Sequence, residues 1–162
     1  MLPPRPARPD FDGVSASLDN ADMVHPIDLS SLTRALAVLD EALAFWHAEA
    51  DASPLKRHLR SAVVQSFEFT YELSVRSLRR VLIERSISAD PMVDLSFNDL
   101  MRLGADAGLV DDPIAWRRWR EARNATSHAY NEAKAVELAS AAVVFAADAR
   151  SLLAKMEASL DS

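Results

Sequence analysis

The chain has no cysteine and only three glycines among its 162 residues. Without cysteine there is no disulfide, zinc ribbon, iron–sulfur cluster or thiol nucleophile, and the composition suits a reducing cytoplasm. Gly13, Gly104 and Gly108 are too few and too scattered for a glycine-rich phosphate cradle or a fold full of tight β-turns. Aromatic residues are sparse while alanine and leucine dominate, a mixture that favours helix packed on helix over sheet. No apolar run approaches the roughly 20 residues of a membrane span. The longest candidate, AVELASAAVVFAADAR, is interrupted by Glu137, Asp148 and Arg150. The N-terminus also lacks the charged-then-apolar layout of a signal peptide. The expected location is therefore cytoplasmic, away from any membrane.

Positive charge is scarce overall. The formal net charge of −6 argues against broad, sequence-independent binding to nucleic acid. Its distribution is uneven, however. Residues 54–86 carry Lys56, Arg57, Arg60, Arg76, Arg79, Arg80 and Arg85 against Glu68, Glu72 and Glu84, a local surplus of four. Arg117, Arg118, Arg120 and Arg123 form a second basic cluster. A local basic site on an acidic protein fits this pattern.

What is present reads as one domain of packed helices. Residues 1–26 hold five of the eight prolines and no helical stripe, which marks a flexible leader ahead of a domain over 27–162. Ser30 or Ser31 can cap a first helix whose face carries Leu32, Leu36, Leu39, Leu43 and Trp46, ending before Ser53-Pro54. A second helix starts at Pro54 and runs to about Ile87, with Leu59, Val63, Phe67, Tyr71, Leu78 and Leu82 as its apolar line. Asp90-Pro91 breaks the pattern. Ser96 and Asp99 cap a short helix stopped by Gly108, and Asp112-Pro113 opens another containing Trp116 and Trp119. An alanine-rich helix spans about Glu132 to Leu160. The expected fold is all-α, an up-and-down bundle of four to five helices.

Polar chemistry concentrates in one connection, EARNATSHAY, residues 121–130. Histidine exchanges protons near neutral pH, and arginine grips phosphate through a planar fork. Arg123 and His128, five apart, thus supply a clamp and a proton shuttle, which together suit phosphodiester cleavage without a metal. RNA brings its own nucleophile, the 2′-hydroxyl. Asn124, Thr126 and Ser127 can orient the pair or donate to phosphate oxygens, and Tyr130 adds a nearby hydroxyl. By itself such spacing more often marks an ordinary capped helix connection. On the long helix Gln65, Glu68, Glu72, Arg76 and Arg79 make one polar stripe. Either that stripe is a solvated face, or Glu68 or Glu72 reaches Arg123 or His128 across the bundle. Phe67, Phe69 and Tyr71 read as packing residues, and Trp116 and Trp119 as core or dimer-interface residues. His25, His47 and His58 have no ligand-spaced partners, so neither a metal site nor a cofactor site is expected.

The stretches LRSAVVQSFEFTYELSVRSLRRVL and GLVDDPIAWRRWREARNATSHAYNEAKA resemble the HEPN superfamily of helical bundles. More narrowly, they are similar to the nucleotidyltransferase substrate-binding proteins, encoded beside a minimal nucleotidyltransferase. The likeness extends from about Leu29 to Leu160. It implies a homodimer whose R-x4-6-H motifs, here Arg123, Asn124 and His128, meet at the interface. It also implies a metal-independent ribonuclease toxin acting on RNA and neutralised by its nucleotidyltransferase antitoxin. In some such pairs the antitoxin adds AMP to a tyrosine two residues past the histidine, the position of Tyr130. The alternative within the same group is a non-catalytic subunit that presents nucleotide or substrate to the transferase.

Overall fold

In a computed structural model, residues 27–86 and 94–162 are described. The leader over 1–26, the last residue expected of the second helix and the Asp90-Pro91 break all lie outside the described residues. Five α-helices and no strand occur among them: α1 (Ser30–Ala48), α2 (Pro54–Glu84), α3 (Phe97–Asp106), α4 (Pro113–Ala125) and α5 (Glu132–Leu160). A single 3-10 turn, Thr126–His128, joins α4 to α5. The architecture is an all-α, up-and-down bundle in which α2 lies between α1 and α5.

Local chemistry sets the helix ends. Ser53 Oγ accepts the Leu55 N–H ahead of Pro54. Asp112 Oδ1 accepts the N–H groups of Ile114 and Ala115 at 2.9 and 3.1 Å. These side chains take up donors that have no partner inside the helix. Ser96 both accepts the Asp99 N–H and donates its hydroxyl to the Asp99 carboxylate at 2.7 Å. The start of α1 differs from the serine cap expected of the sequence. Leu29 occupies the cap position with its side chain buried, and Asp28 instead accepts the Ser30 N–H at 2.8 Å. Hydrogen bonds from Ser30 hold the Asp28 carboxyl below its ordinary range. Burial of a leucine has overridden the local preference for a polar cap.

At the end of α3, Gly108 has φ +74°, a left-handed conformation that other residues enter only with strain. The turn it makes lets Leu109 and Val110 donate back to the Gly104 carbonyl. Gly104 is needed for a different reason. A Cβ there would lie 2.7 Å from Val110 Cγ2, so its bare face lets that strap close over Leu78 of α2.

The core follows the apolar stripes. Leu32, Leu36, Leu39, Leu43 and Trp46 of α1 are all buried against α2 and α5. Ala139, Ala142, Ala146 and Ala149 are buried along α5, and their short side chains admit close helix approach. Phe145 is the hub. Its ring meets Phe67 edge-on at 4.9 Å, Trp116 at 6.0 Å and Trp119 at 5.8 Å, with Tyr71 at 6.5 Å. Trp119 donates its indole N–H to Asp148 at 2.8 Å, tying α4 to α5 beside that cluster. Since Phe145 of α5 meets rings from both α2 and α4, Phe145→Ala is expected to lower unfolding free energy by about 3–5 kcal/mol in urea denaturation. A loss under about 1 kcal/mol would show that the aromatic cluster is not what joins α2, α4 and α5.

Candidate functional site

The last turn of α4 carries Arg123 towards α2. Its Nε donates to Glu72 Oε1 at 2.6 Å, and its Nη2 lies 3.1 Å from Glu68 Oε1. The second oxygen of Glu68 accepts the Thr126 hydroxyl at 3.2 Å. Glu68 and Glu72 stand one turn apart on α2, so both project to the same side and close on one guanidinium. The pairing with Glu72 raises the Arg123 pKa, with burial opposing it. A guanidinium has five N–H donors. Nε and Nη2 together use one lateral edge, which leaves the outer end of the fork unengaged by any described residue. About a third of the Arg123 side chain remains exposed.

The chain after Arg123 is held by its own hydroxyls. The Thr126 hydroxyl shares its single proton between Glu68 and the Arg123 carbonyl, 2.7 Å away, and Ser127 Oγ donates to the Asn124 carbonyl at 3.1 Å. Both carbonyls belong to the last turn of α4, where the Arg123 carbonyl also accepts the Thr126 backbone N–H, so the two hydroxyls help end that helix tightly. Ala129 and Asn131 continue the turn with backbone bonds to Thr126 and His128. Asn131 Oδ1 then accepts the Lys134 N–H and opens α5.

Arg123, Thr126, Glu68 and Glu72 thus form one network. Asn124, His128 and Tyr130 stand apart from it on the exposed side of the turn. The His128 ring meets Tyr130 edge-on at 6.2 Å and makes no hydrogen bond among the described residues. Tyr130 is 87% exposed. Between α2 and Arg123 runs an open groove of about 480 Å³ lined by Gln65, Glu68, Phe69, Glu72, Leu73, Arg76 and Arg123. Gln65, Phe69 and Leu73 also line a larger groove of about 560 Å³ between α1 and α2, with Ala35 and Val38 on its far wall.

Two features of this region depart from the sequence pattern or leave no trace in it. Phe69 does not pack in the core: it is 66% exposed, in contrast to Phe67 and Tyr71. Position 69 falls two residues from each of them, about 200° round the helix, and that offset was the available signal. Arg60 is buried, with Nη2 3.4 Å from Glu132 at the start of α5 and Nε without a partner among the described residues. Nothing in its sequence context distinguishes it from the exposed Arg57. No group of three or more His, Asp or Glu side chains able to hold a metal ion occurs among the described residues.

Comparison with known proteins places these features in a family context. Residues 27–158 match the family described as "Nucleotidyltransferase substrate binding protein like". Over 78 residues the chain is 37% identical to a protein of Haemophilus influenzae named probable ribonuclease HepT, covering 48% of this chain. It spans about half the length of that curated relative, 53%. A solved structure from the same organism, described as revealing the fold of a substrate-binding domain of a nucleotidyltransferase, superposes with a TM-score of 0.74 at 26% identity. The match covers 80% of this chain and 99% of that one.

The floor of the site has its own titration. Burial, reinforced by the Glu72 charge, pushes the Tyr71 hydroxyl up to about 12, although Arg120 and Arg123 pull the other way. In the unfolded chain a tyrosine ionises near its ordinary value of about 10. The native state therefore binds more protons than the unfolded state between those values. Stability is full below pH ~10 and falls as pH rises towards 12. With Tyr130 replaced by phenylalanine, absorbance titration is expected to show Tyr71 ionising near 12, together with loss of helical ellipticity. Ionisation near 10 in a chain that stays folded would contradict its burial.

Proposed function

The chain belongs to the nucleotidyltransferase substrate-binding-protein-like family, and from that premise we propose that it is a metal-independent endoribonuclease. In this reading it is the toxin of a pair and is neutralised by a minimal nucleotidyltransferase. The observation that carries the proposal is Arg123, braced on one edge by Glu68 and Glu72, with its outer donors free beside an exposed histidine turn. A relative bearing the name probable ribonuclease supports the same chemistry.

The reaction needs only the chain's own groups and the substrate. The RNA 2′-oxygen attacks the adjacent phosphorus while His128 accepts the 2′ proton. The new 2′-O–P bond forms as the P–O5′ bond breaks, giving a 2′,3′-cyclic phosphate and a 5′-hydroxyl end. The outer face of Arg123 takes the negative charge that develops on the phosphoryl oxygens. Because Glu68 and Glu72 hold its lateral edge, little reorganisation accompanies that step. Thr126 and Ser127 fix the geometry by ending α4, and Asn124 lies beside the substrate. Protonation of the leaving 5′-oxygen falls to the His128 of a second copy.

That second copy docks through the apolar wall formed by Val38, Phe69 and Leu73, where Val38 is 56% and Phe69 66% exposed. The wall adjoins the Arg123 groove, so a two-fold dimer formed there brings two sites towards one cleft. Tyr130, with its hydroxyl in solvent, is the switch. Its oxygen attacks the α-phosphorus of ATP bound to the antitoxin, the α–β phosphoanhydride breaks, and pyrophosphate leaves. The added AMP places negative charge and bulk beside the His128 ring.

A second reading rests on the description of the solved relative as a substrate-binding domain. In it the groove holds a nucleotide for the transferase and performs no chemistry. Cleavage of labelled RNA in excess chelator separates the two. The nuclease is expected to leave cyclic phosphate ends, with a loss of about 10²–10⁴ in His128→Ala and about 10²–10³ in Arg123→Ala. Undiminished cleavage by His128→Ala would remove that residue from the mechanism. Absence of cleavage by the wild type, with a stable nucleotide-binding complex with the transferase, would establish presentation instead. Phe69→Asp is expected to give monomers in light scattering; an unchanged dimer would place the interface elsewhere.

A further inference from the structure

Beyond Arg123, the α2–α4 seam carries cations that no ion pair among the described residues uses. Going towards the C-terminus of α2, the next turn after Glu72 presents Arg76, exposed and lining the same groove. On α4, the turn before Arg123 presents Arg120. On the α2–α4 seam Glu68 meets both Thr126 and Arg123, and Glu72 meets Arg123. Arg76 thus stands about one helical turn, ~5.4 Å, beyond Glu72 along α2, and Arg120 about one turn before Arg123 along α4, so both adjoin the Arg123 site. Arg120 lies over the Phe97 ring, its Cζ 4.8 Å from the ring centroid, a cation–π contact that tethers the guanidinium beside the seam.

The two carboxylates of the groove, Glu68 and Glu72, are both bound to Arg123. Three guanidinium groups against two carboxylates leave a local positive surplus on a protein of net charge −6. A localised surplus of guanidinium groups spread over two adjoining helices suits successive phosphates of an extended strand better than a single ion. We propose that Arg76 and Arg120 form a backbone track for single-stranded RNA that leads the chain to the phosphate held by Arg123. This rests on the nuclease reading of the same site and adds how the substrate is held outside the scissile bond. The track sets register along the strand through phosphates and carries no base preference.

The test measures binding apart from cleavage. A fluorescent 2′-O-methyl RNA oligonucleotide lacks the nucleophile, so its anisotropy reports association alone. The wild type is expected to bind it. Arg76→Gln with Arg120→Gln is expected to weaken binding about tenfold or more and to lower the salt slope by about 0.7 for each phosphate no longer neutralised. Arg118→Gln, an exposed arginine off the seam, should leave both quantities within about twofold. Unchanged affinity and slope in the double variant would overturn the track. So would failure of the wild type to bind, or displacement by a poly-glutamate peptide at equal charge, which would assign the seam to an acidic protein segment. Arginine-dependent binding by a wild type that cleaves no RNA would uphold the track and sink the nuclease reading instead.

Discussion

The Arg123 guanidinium held between Glu68 and Glu72 is the contact on which the site depends. Its importance is positional. All three side chains are between 31% and 47% exposed. Surface pairs of this kind contribute about 0.2–1 kcal/mol, so the bundle does not stand or fall by them. What they supply is direction. An arginine with four rotatable side-chain bonds at a helix end would otherwise sample much of the surrounding solvent. Two carboxylates on its lateral edge restrict it to one orientation with its remaining donors turned outward. Glu68 extends the constraint by accepting the Thr126 hydroxyl, which also closes on the Arg123 carbonyl. The orientation of the arginine and the end of α4 are thereby set together.

That network in turn rests on the core. Glu68 and Glu72 bracket Tyr71, which is buried and stacked near Trp116 and Phe145. Phe67, one turn earlier, meets Phe145 edge-on. The residues that face the groove and those that face the core thus alternate along the same two turns of α2. Any shift of α2 that repacked the aromatic cluster would also move the two carboxylates. Trp119 reaches Asp148 on α5 and fixes α4 from the opposite side. The site is exposed, but its geometry is transmitted from a rigid interior.

The fold was legible in the sequence because its signals are local and mutually consistent. The leucine spacing of α1, the Ser53-Pro54 and Asp112-Pro113 starts and the Gly108 stop each act within a turn or two of helix. The start of α1 was legible only in part, since burial of Leu29 shifted the cap to Asp28. The site was legible as residue types and much less as relations. Helical spacing put Glu68 and Glu72 on one face, but which partner they meet depends on where α4 ends, some 50 residues later. The sequence also suggested equal roles for Thr126 and Ser127, whereas only Thr126 reaches the carboxylate network. Arg60 could not have been singled out at all. Its burial follows from the placement of α5 over α2, a tertiary fact without a local marker.

In the proposed nuclease, the separation between Arg123 and His128 makes the protomer's site half of a larger one. Within the protomer, the arginine turns inward to α2 while the histidine faces solvent with Tyr130 beside it. General acid–base cleavage of a phosphodiester needs one proton removed and another delivered on opposite sides of the phosphorus. In the proposed nuclease the exposed His128 of one chain serves one of those steps. In that proposal a two-fold partner docked on the apolar wall beside the groove would supply the other without any new residue type. The same geometry makes Tyr130 an effective place for control. In the proposed switch a bulky anionic group on Tyr130 would stand next to the His128 ring and obstruct proton transfer there.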